Sequence, residues 1–493
     1  MMSGIQANVI AEVSMLVTTS SFIQRQPFQQ MLGVELPPRR EKPPAPPAER
    51  AAPVPRGGVA KSRFGLLESL CPRELVDRVI KESGREGQRT RQLPPWLVVY
   101  ALLMMCLSGN MGYGRLMREV ATQAPKWRSP AGRSAFGKAR MRLGWEVLEK
   151  LFAALAKPLG DPQLDANCCF WRGRRVVAID GTTFALAVNQ ELETEFGGQI
   201  ANDGSQQRVG VPHARLVSLI ECGTRALLAV ALGAYKKGEG SLARQLANAL
   251  EPGMIVLADR CFPAKRLWLL YTATGADLLW RVKSNLARRH LRELRDGSYL
   301  VNFGKGQPVQ VRVIEYRRQG HPQLYRLITN LLDPVAAPAQ ELAVLYSQRW
   351  EIELVTREIK CDQADQAPLR SKTADGVRQE IYAHCLLHTL NRQLVYTAAA
   401  TTPERDPDRI SFTVAMDVLH LSLRHVRTAG RRAIAELTQW AINQLVACDP
   451  LIRRARSCPR AVYRKLDHFV NRARWAGPKS TQAPALEIIL RAA

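Results

Sequence analysis

The chain has 493 residues, 46% of them hydrophobic, and carries 70 Lys and Arg against 44 Asp and Glu for a formal net charge of +26. That size and apolar content exclude a disordered or fibrous chain and leave room for several packed units of roughly 100–200 residues. A positive surplus this large favours a polyanion partner, nucleic acid before an anionic membrane, because Lys and Arg that neutralise phosphates release condensed counterions.

Residues 34–58 hold eight prolines and no apolar periodicity, so residues 1–60 read as an N-terminal extension with a Pro-rich linker. No basic segment followed by an apolar one marks an export signal, and the longest apolar run, Trp96 to Leu107, falls short of the ~18–20 residues that cross a bilayer. The expectation is a cytoplasmic protein with no membrane contact. Ten cysteines without a C-x-x-C pair fit reduced thiols, most of them core filler.

Residues 61–155 follow a helical pattern. Within them the piece from Arg115 to Arg142 carries Arg115, Arg118, Lys126, Arg128, Arg133, Lys138, Arg140 and Arg142 against the single acid Glu119, which suits a helical DNA-binding domain.

From Arg174 the period changes. RRVVAID, GTTFALAV, HARLVSLIEC and RALLAVALGAY are strand-like and suggest an antiparallel meander. The helix SLARQLANAL, the buried strand MIVLAD, the helix AKRLWLLYTATG and the strand ADLLWRVKSN follow. This order, over residues 174–285, is that of an RNase H-like α/β core. Trp268 and Trp280 lie in apolar runs and read as core residues. Residues 286–338 lean to β-structure and read as an insertion that interrupts the core; GKGQP within them has the wrong length and context for a phosphate-binding loop.

Residues 339–400 supply the final helices of the core. His384 and His388 share a helical face at a metal-ligand spacing, but Val377, Ile381 and Cys385 lie near that face and no third ligand is in view, so both read as core histidines. Residues 401–493 form a basic helical C-terminal region, with Tyr463, Phe469 and Trp475 interleaved among its cations.

Two acids close apolar strands, Asp180 in RRVVAID and Asp259 in MIVLAD. The first and fourth strands of an RNase H-like sheet lie side by side, so these carboxylates meet at one edge, where a hard divalent cation finds oxygen ligands. A third acid, Glu353, lies on the helix that begins near Ala339. Tyr346, Arg349, Glu353 and Lys360 fall at offsets that keep them within ~60° of one another on a regular helix, and Leu345, Ile352 and Ile359 form a separate apolar stripe.

The spacing of Tyr346, Arg349, Glu353 and Lys360 in YSQRWEIELVTREIK resembles the signature of the insertion-element-four family of DDE transposases. AIDGTTF and LADRCF resemble its two aspartate motifs, LRSKTADGVRQEIYAHCLL the stretch after its glutamate, and LCPRELVDRVI with RQLPPW its N-terminal domain. One departure is Cys261, which follows Arg260 where the family usually has glycine.

The resemblance implies that Asp180, Asp259 and Glu353 form a metal-binding catalytic triad for two Mg²⁺ ions, with Mn²⁺ as a substitute, and that Tyr346, Arg349 and Lys360 contact DNA. It implies hydrolysis at the ends of an insertion sequence and transfer of the freed 3′-hydroxyl into target DNA, by a homodimer in a synaptic complex acting on the nucleoid. The partners implied are double-stranded DNA of the terminal inverted repeats and of the target. Two alternatives remain at this stage: a catalytically silent protein that binds the same ends, and a metal-dependent nuclease without strand transfer.

Overall fold

The computed structural model describes residues 64–87, 91–109, 111–123, 131–200, 208–283, 290–318, 324–402, 406–425, 432–448 and 488–490. The Pro-rich linker, Lys126, Arg128, Tyr463, Phe469 and Trp475 lie outside them.

The first described helices are α1 (Leu66–Leu70), α2 (Arg73–Glu82), α3 (Pro95–Leu107), α4 (Tyr113–Gln123), α5 (Arg133–Leu143) and α6 (Glu146–Leu155). Helix α3 is apolar all round because it is buried all round, every residue from Leu97 to Leu107 being closed off from solvent. Among the described residues no helix is long and apolar enough to cross a membrane. On α5 the basic residues divide: Arg133, Lys138 and Arg142 are exposed, whereas Arg140 is buried. Its guanidinium donates to Gln379 Oε1 at 2.7 Å, Ser371 Oγ at 3.0 Å and the Gly376 carbonyl at 3.1 Å. Arg140, counted above with the DNA-facing cations, is instead a buried structural arginine.

A short helix α7 (Ala166–Cys169) leads into β1 (Phe170–Trp171) and the long β2 (Arg174–Ala185). After α8 (Gln190–Glu195) and the small ribbon β3 (Gln199–Ile200) with β4 (Arg208–Val209) come the hairpin β5 (His213–Glu221) and β6 (Leu227–Ala234), then α9 (Glu239–Ala243), β7 (Met254–Ala258), α10 (Lys265–Thr272) and β8 (Asp277–Arg281). β2 pairs antiparallel with β5 and parallel with β7; β7 pairs parallel with β8. The meander, helix, strand, helix and strand thus stand in the expected order, with the first and fourth core strands adjacent.

Both faces of this sheet are covered. Val176 and Ala178 point into the core shared with the helices, while Val177 and Ile179 point into a second core holding Trp268 and Trp280, whose rings meet edge to face with centroids 5.1 Å apart.

The β-leaning segment forms β9 (His290–Glu293), β10 (Tyr299–Phe303), β11 (Val309–Arg318) and β12 (Tyr325–Thr329). These strands extend the core's own sheet, because β12 pairs antiparallel with β8 through Leu327 and Arg281. The sheet runs in the order β6-β5-β2-β7-β8-β12-β11-β10-β9, with β13 (Ile488–Leu490) added beside β11.

The chain then forms α11 (Ala339–Leu345), a 3₁₀ turn at Tyr346–Arg349, α12 (Trp350–Arg357) and a π-helical turn at Glu358–Gln363. A single regular winding was expected here. The helix instead tightens before Glu353 and widens after it, so a uniform 100° step does not describe the whole stripe. The 26-residue α13 (Ala374–Ala399), capped by Thr373 Oγ1 accepting from Gly376 N–H at 3.2 Å, runs through the helical core. His384 and His388 are buried on it, as expected. A 3₁₀ turn (Pro407–Arg409), α14 (Phe412–His425) and α15 (Arg432–Ala447) follow.

Candidate active site

The stretch Val176 to Ile179 is sealed on both sides and has no place for a carboxylate; the first acid comes where β2 reaches the edge of its core. Ile179 lies opposite Ala258 in the parallel pair, so Asp180 and Asp259, each the next residue, come side by side. Asp259 follows the end of β7 as expected, whereas Asp180 does not close its strand, because β2 stays paired with β5 as far as Ala185. Asp180 Oδ1 accepts from the Gly181 N–H at 2.8 Å, and Asp259 accepts from the Arg260 N–H.

The tight and regular turns after α11 deliver Arg349 and Glu353 to this edge. Arg349 donates to Glu353 Oε1 at 2.6 Å, and its other terminal nitrogen stands 3.5 Å from Asp180 Oδ2. The guanidinium, 13% exposed, thereby bridges the strand acid and the helix acid. Tyr346 is buried, and its hydroxyl donates to the Ala258 carbonyl at 3.2 Å. Lys360 lies in the π-helical turn, half-buried, and among the described residues it makes no ion pair with the three acids.

Burial pushes the Asp180 carboxyl up to about 6, and the charges of Asp259 and Glu239 add to the rise, against the lowering effect of the Gly181 N–H and Arg349. Glu239 is the residue that sequence reasoning missed: it sits in KKGEG with no periodicity or motif to mark it. Its side chain crosses the backbone at Gly181, where an added Cβ would lie 2.6 Å from the Glu239 carboxyl carbon. A side chain at 181 would have to displace that carboxylate.

The donor set is all carboxylate oxygen, which suits a hard divalent cation rather than a thiophilic one. The acids already crowd negative charge into a half-buried place, another reason for a cation there. Among the described residues, however, no group of three or more His, Cys, Asp or Glu is gathered closely enough to hold an ion, and Arg349 stands between two of the acids.

Comparison with known proteins agrees with this layout. The insertion element 4 transposase N-terminal family matches residues 61–153, and the transposase DDE domain family matches residues 171–390. A DDE domain implies an RNase H-like core, and such domains generally use divalent metal ions. The chain is 28% identical over 408 residues to the transposase InsG for insertion sequence element IS4 of Escherichia coli K12, covering 79% of this chain and 89% of that protein. It is 26% identical over 227 residues to the putative transposase InsZ of the same organism, covering 44% of this chain and 70% of that one. On these matches the chain is a DDE-type transposase and belongs to the insertion-element-four family.

Proposed function

We propose that Asp180, Asp259 and Glu353 are the catalytic triad of a cut-and-paste reaction, in which this transposase cleaves the inverted repeats at its element's ends and joins their 3′-hydroxyls to target DNA. The observation that carries this reading is the parallel pairing of β2 with β7, which brings Asp180 and Asp259 out side by side, with Glu353 reached through Arg349.

In this reading the three carboxylates would hold two Mg²⁺ ions, or Mn²⁺ in their place, and such ions would supply activation of an attacking water or 3′-hydroxyl and stabilisation of the leaving oxygen. The protein positions the phosphate between its acids and supplies cations for the DNA backbone. Arg349 and Lys360 are the DNA contacts from the helix; buried Tyr346 acts as a strut that fixes the helix to the end of β7. Residues 61–155 serve as a DNA-binding domain, residues 286–338 as an insertion in the catalytic core that also widens its sheet, and the basic residues 401–493 as a further DNA or subunit contact. Two ends must be cut in concert, so the working species is a homodimer in a synaptic complex.

The test is cleavage of labelled DNA carrying the element's own ends, with Mg²⁺ or with EDTA, by the natural protein, Asp180→Asn and Glu353→Gln. Release of 3′-hydroxyl ends that needs Mg²⁺ and disappears in both variants while end binding persists supports the triad. Binding without cleavage under any divalent metal would make the acids structural and the protein a silent end-binder.

A further inference from the structure

Helix α12 and the π-helical turn carry three glutamates besides the apolar residues that bury them, and only Glu353 faces the acids of the sheet. Glu351 and Glu358 lie seven positions apart, within roughly 20° on a regular helix, whereas Glu353 is about 200° from Glu351 and so on the other side. Both off-site glutamates are buried on one arginine, Arg225, in the turn of the β5–β6 hairpin. Arg225 Nε donates to Glu351 Oε2 at 2.7 Å and Nη1 to Glu358 Oε1 at 3.1 Å, while Nη2 stands 2.7 Å from Asp408 Oδ1. On its far side Glu358 takes the Nε2–H of His388 at 2.9 Å and the Nε–H of Arg392 at 3.1 Å.

Two features separate this cluster from an incidental buried ion pair. Arg225 has φ +58°, a left-handed conformation costly for a residue with a Cβ and one that persists only where the surroundings impose it. The strand that leads into its turn, β5, also pairs Ser218 with Asp180. One continuous path therefore runs from Asp180 through the hairpin to Arg225, and from Arg225 through Glu351 and Glu358 to the backbone that bears Glu353.

We propose that Arg225 is a positioning residue for the reaction: it sets the distance between Glu353 and the strand acids by clamping Glu351 and Glu358 to the hairpin paired with the Asp180 strand. The inference rests on the triad reading above. A lysine cannot replace the clamp, because a point ammonium lacks the planar fork that engages separate carboxylates at once. The clamp touches neither DNA nor the reacting atoms, so its loss changes the chemical step and the divalent-ion requirement while leaving end binding intact.

The experiment uses the full chain and its cognate DNA ends, and compares the natural protein with Arg225→Lys and Glu351→Gln. Folding is checked by thermal melting; single-turnover cleavage, end affinity and, by calorimetry on the DNA-bound protein in Ca²⁺-free buffer, Mn²⁺ affinity are measured. Expected for each folded variant is a cleavage rate lower by roughly 10- to 100-fold, as for the loss of groups that orient metal ligands, with weaker Mn²⁺ binding and unchanged end affinity. Should Arg225→Lys fail to fold, Glu351→Gln decides, since it removes one charge and keeps the shape and the other two carboxylates. A folded Glu351→Gln protein that cleaves at the natural rate with natural Mn²⁺ affinity overturns this inference alone. A natural protein that never cleaves overturns the triad reading, and this inference with it.

Discussion

The hydroxyl of Tyr346 donates to the carbonyl of Ala258, 3.2 Å away, and so ties the helix bearing Glu353 to the last residue of the strand before Asp259. A tyrosine buried in this way is a strut between two parts of the site. Tyr346→Phe should therefore cost about 1 kcal/mol of stability, the usual worth of one buried hydrogen bond, and leave affinity for the DNA ends unchanged. Denaturant unfolding and a binding titration on the same preparation check this; a large drop in end affinity with stability intact would return Tyr346 to the role of a DNA contact.

Arg349 is a positive charge already placed between Asp180 and Glu353. In the absence of DNA, Arg349→Ala should raise affinity for Mn²⁺ severalfold, because an entering ion no longer competes with an internal cation. The same variant should bind DNA ends more weakly, having lost a phosphate partner. Calorimetry without DNA and a titration with it measure the two opposite changes, and a fall in both affinities would contradict this account.

The Asp180 carboxyl, raised from 3.8 to about 6, is more easily ionised in the unfolded chain than in the folded one. Its contribution to stability is therefore whole below about pH 4 and is lost as pH climbs through 6, a change of up to about 3 kcal/mol. Asp180→Asn should raise the melting temperature at pH 8 and leave it unmoved near pH 4. Equal melting temperatures at both pH values would show that the folded protein already neutralises this charge.

Glu358 has the opposite sign. Burial alone would raise its carboxyl, but Arg392, His388 and Arg225 hold it at about 2, below the ordinary 4.5. The stability it contributes is complete above about pH 4.5 and disappears as pH falls toward 2, again up to about 3 kcal/mol. Glu358→Gln should be less stable than the natural protein at pH 7, and the gap should narrow on acidification, as read from urea midpoints across that range.

Much of the frame is legible in the sequence, and the reason is local. A strand such as MIVLAD announces itself by an unbroken apolar run, and the acid ending it marks where burial stops; the adjacency of the Asp180 and Asp259 strands then follows from the order of elements. Trp268, Trp280, His384 and His388 were readable as core from their apolar neighbours. What escaped depends on partners distant in sequence. Arg140 looks like any surface cation until Gln379 and Ser371, more than two hundred residues later, close over it. Glu239 and Arg225 matter only through what the fold sets beside them, and the changes of helical winding around Glu353 leave no trace in a periodicity that assumes one pitch. The pairing of β12 with β8, which joins the β-rich segment to the main sheet, is likewise a matter of tertiary register.

The close passage of Glu239 over Gly181 bears on how copies of such an element age. Every missense change of a glycine codon adds a side chain, and at this position any side chain must push the Glu239 carboxylate from its place beside Asp180. A single base change could thus redraw the charge around the first acid while leaving Asp180, Asp259 and Glu353 in the text. A survey that scores copies as intact by those three letters would not see the change.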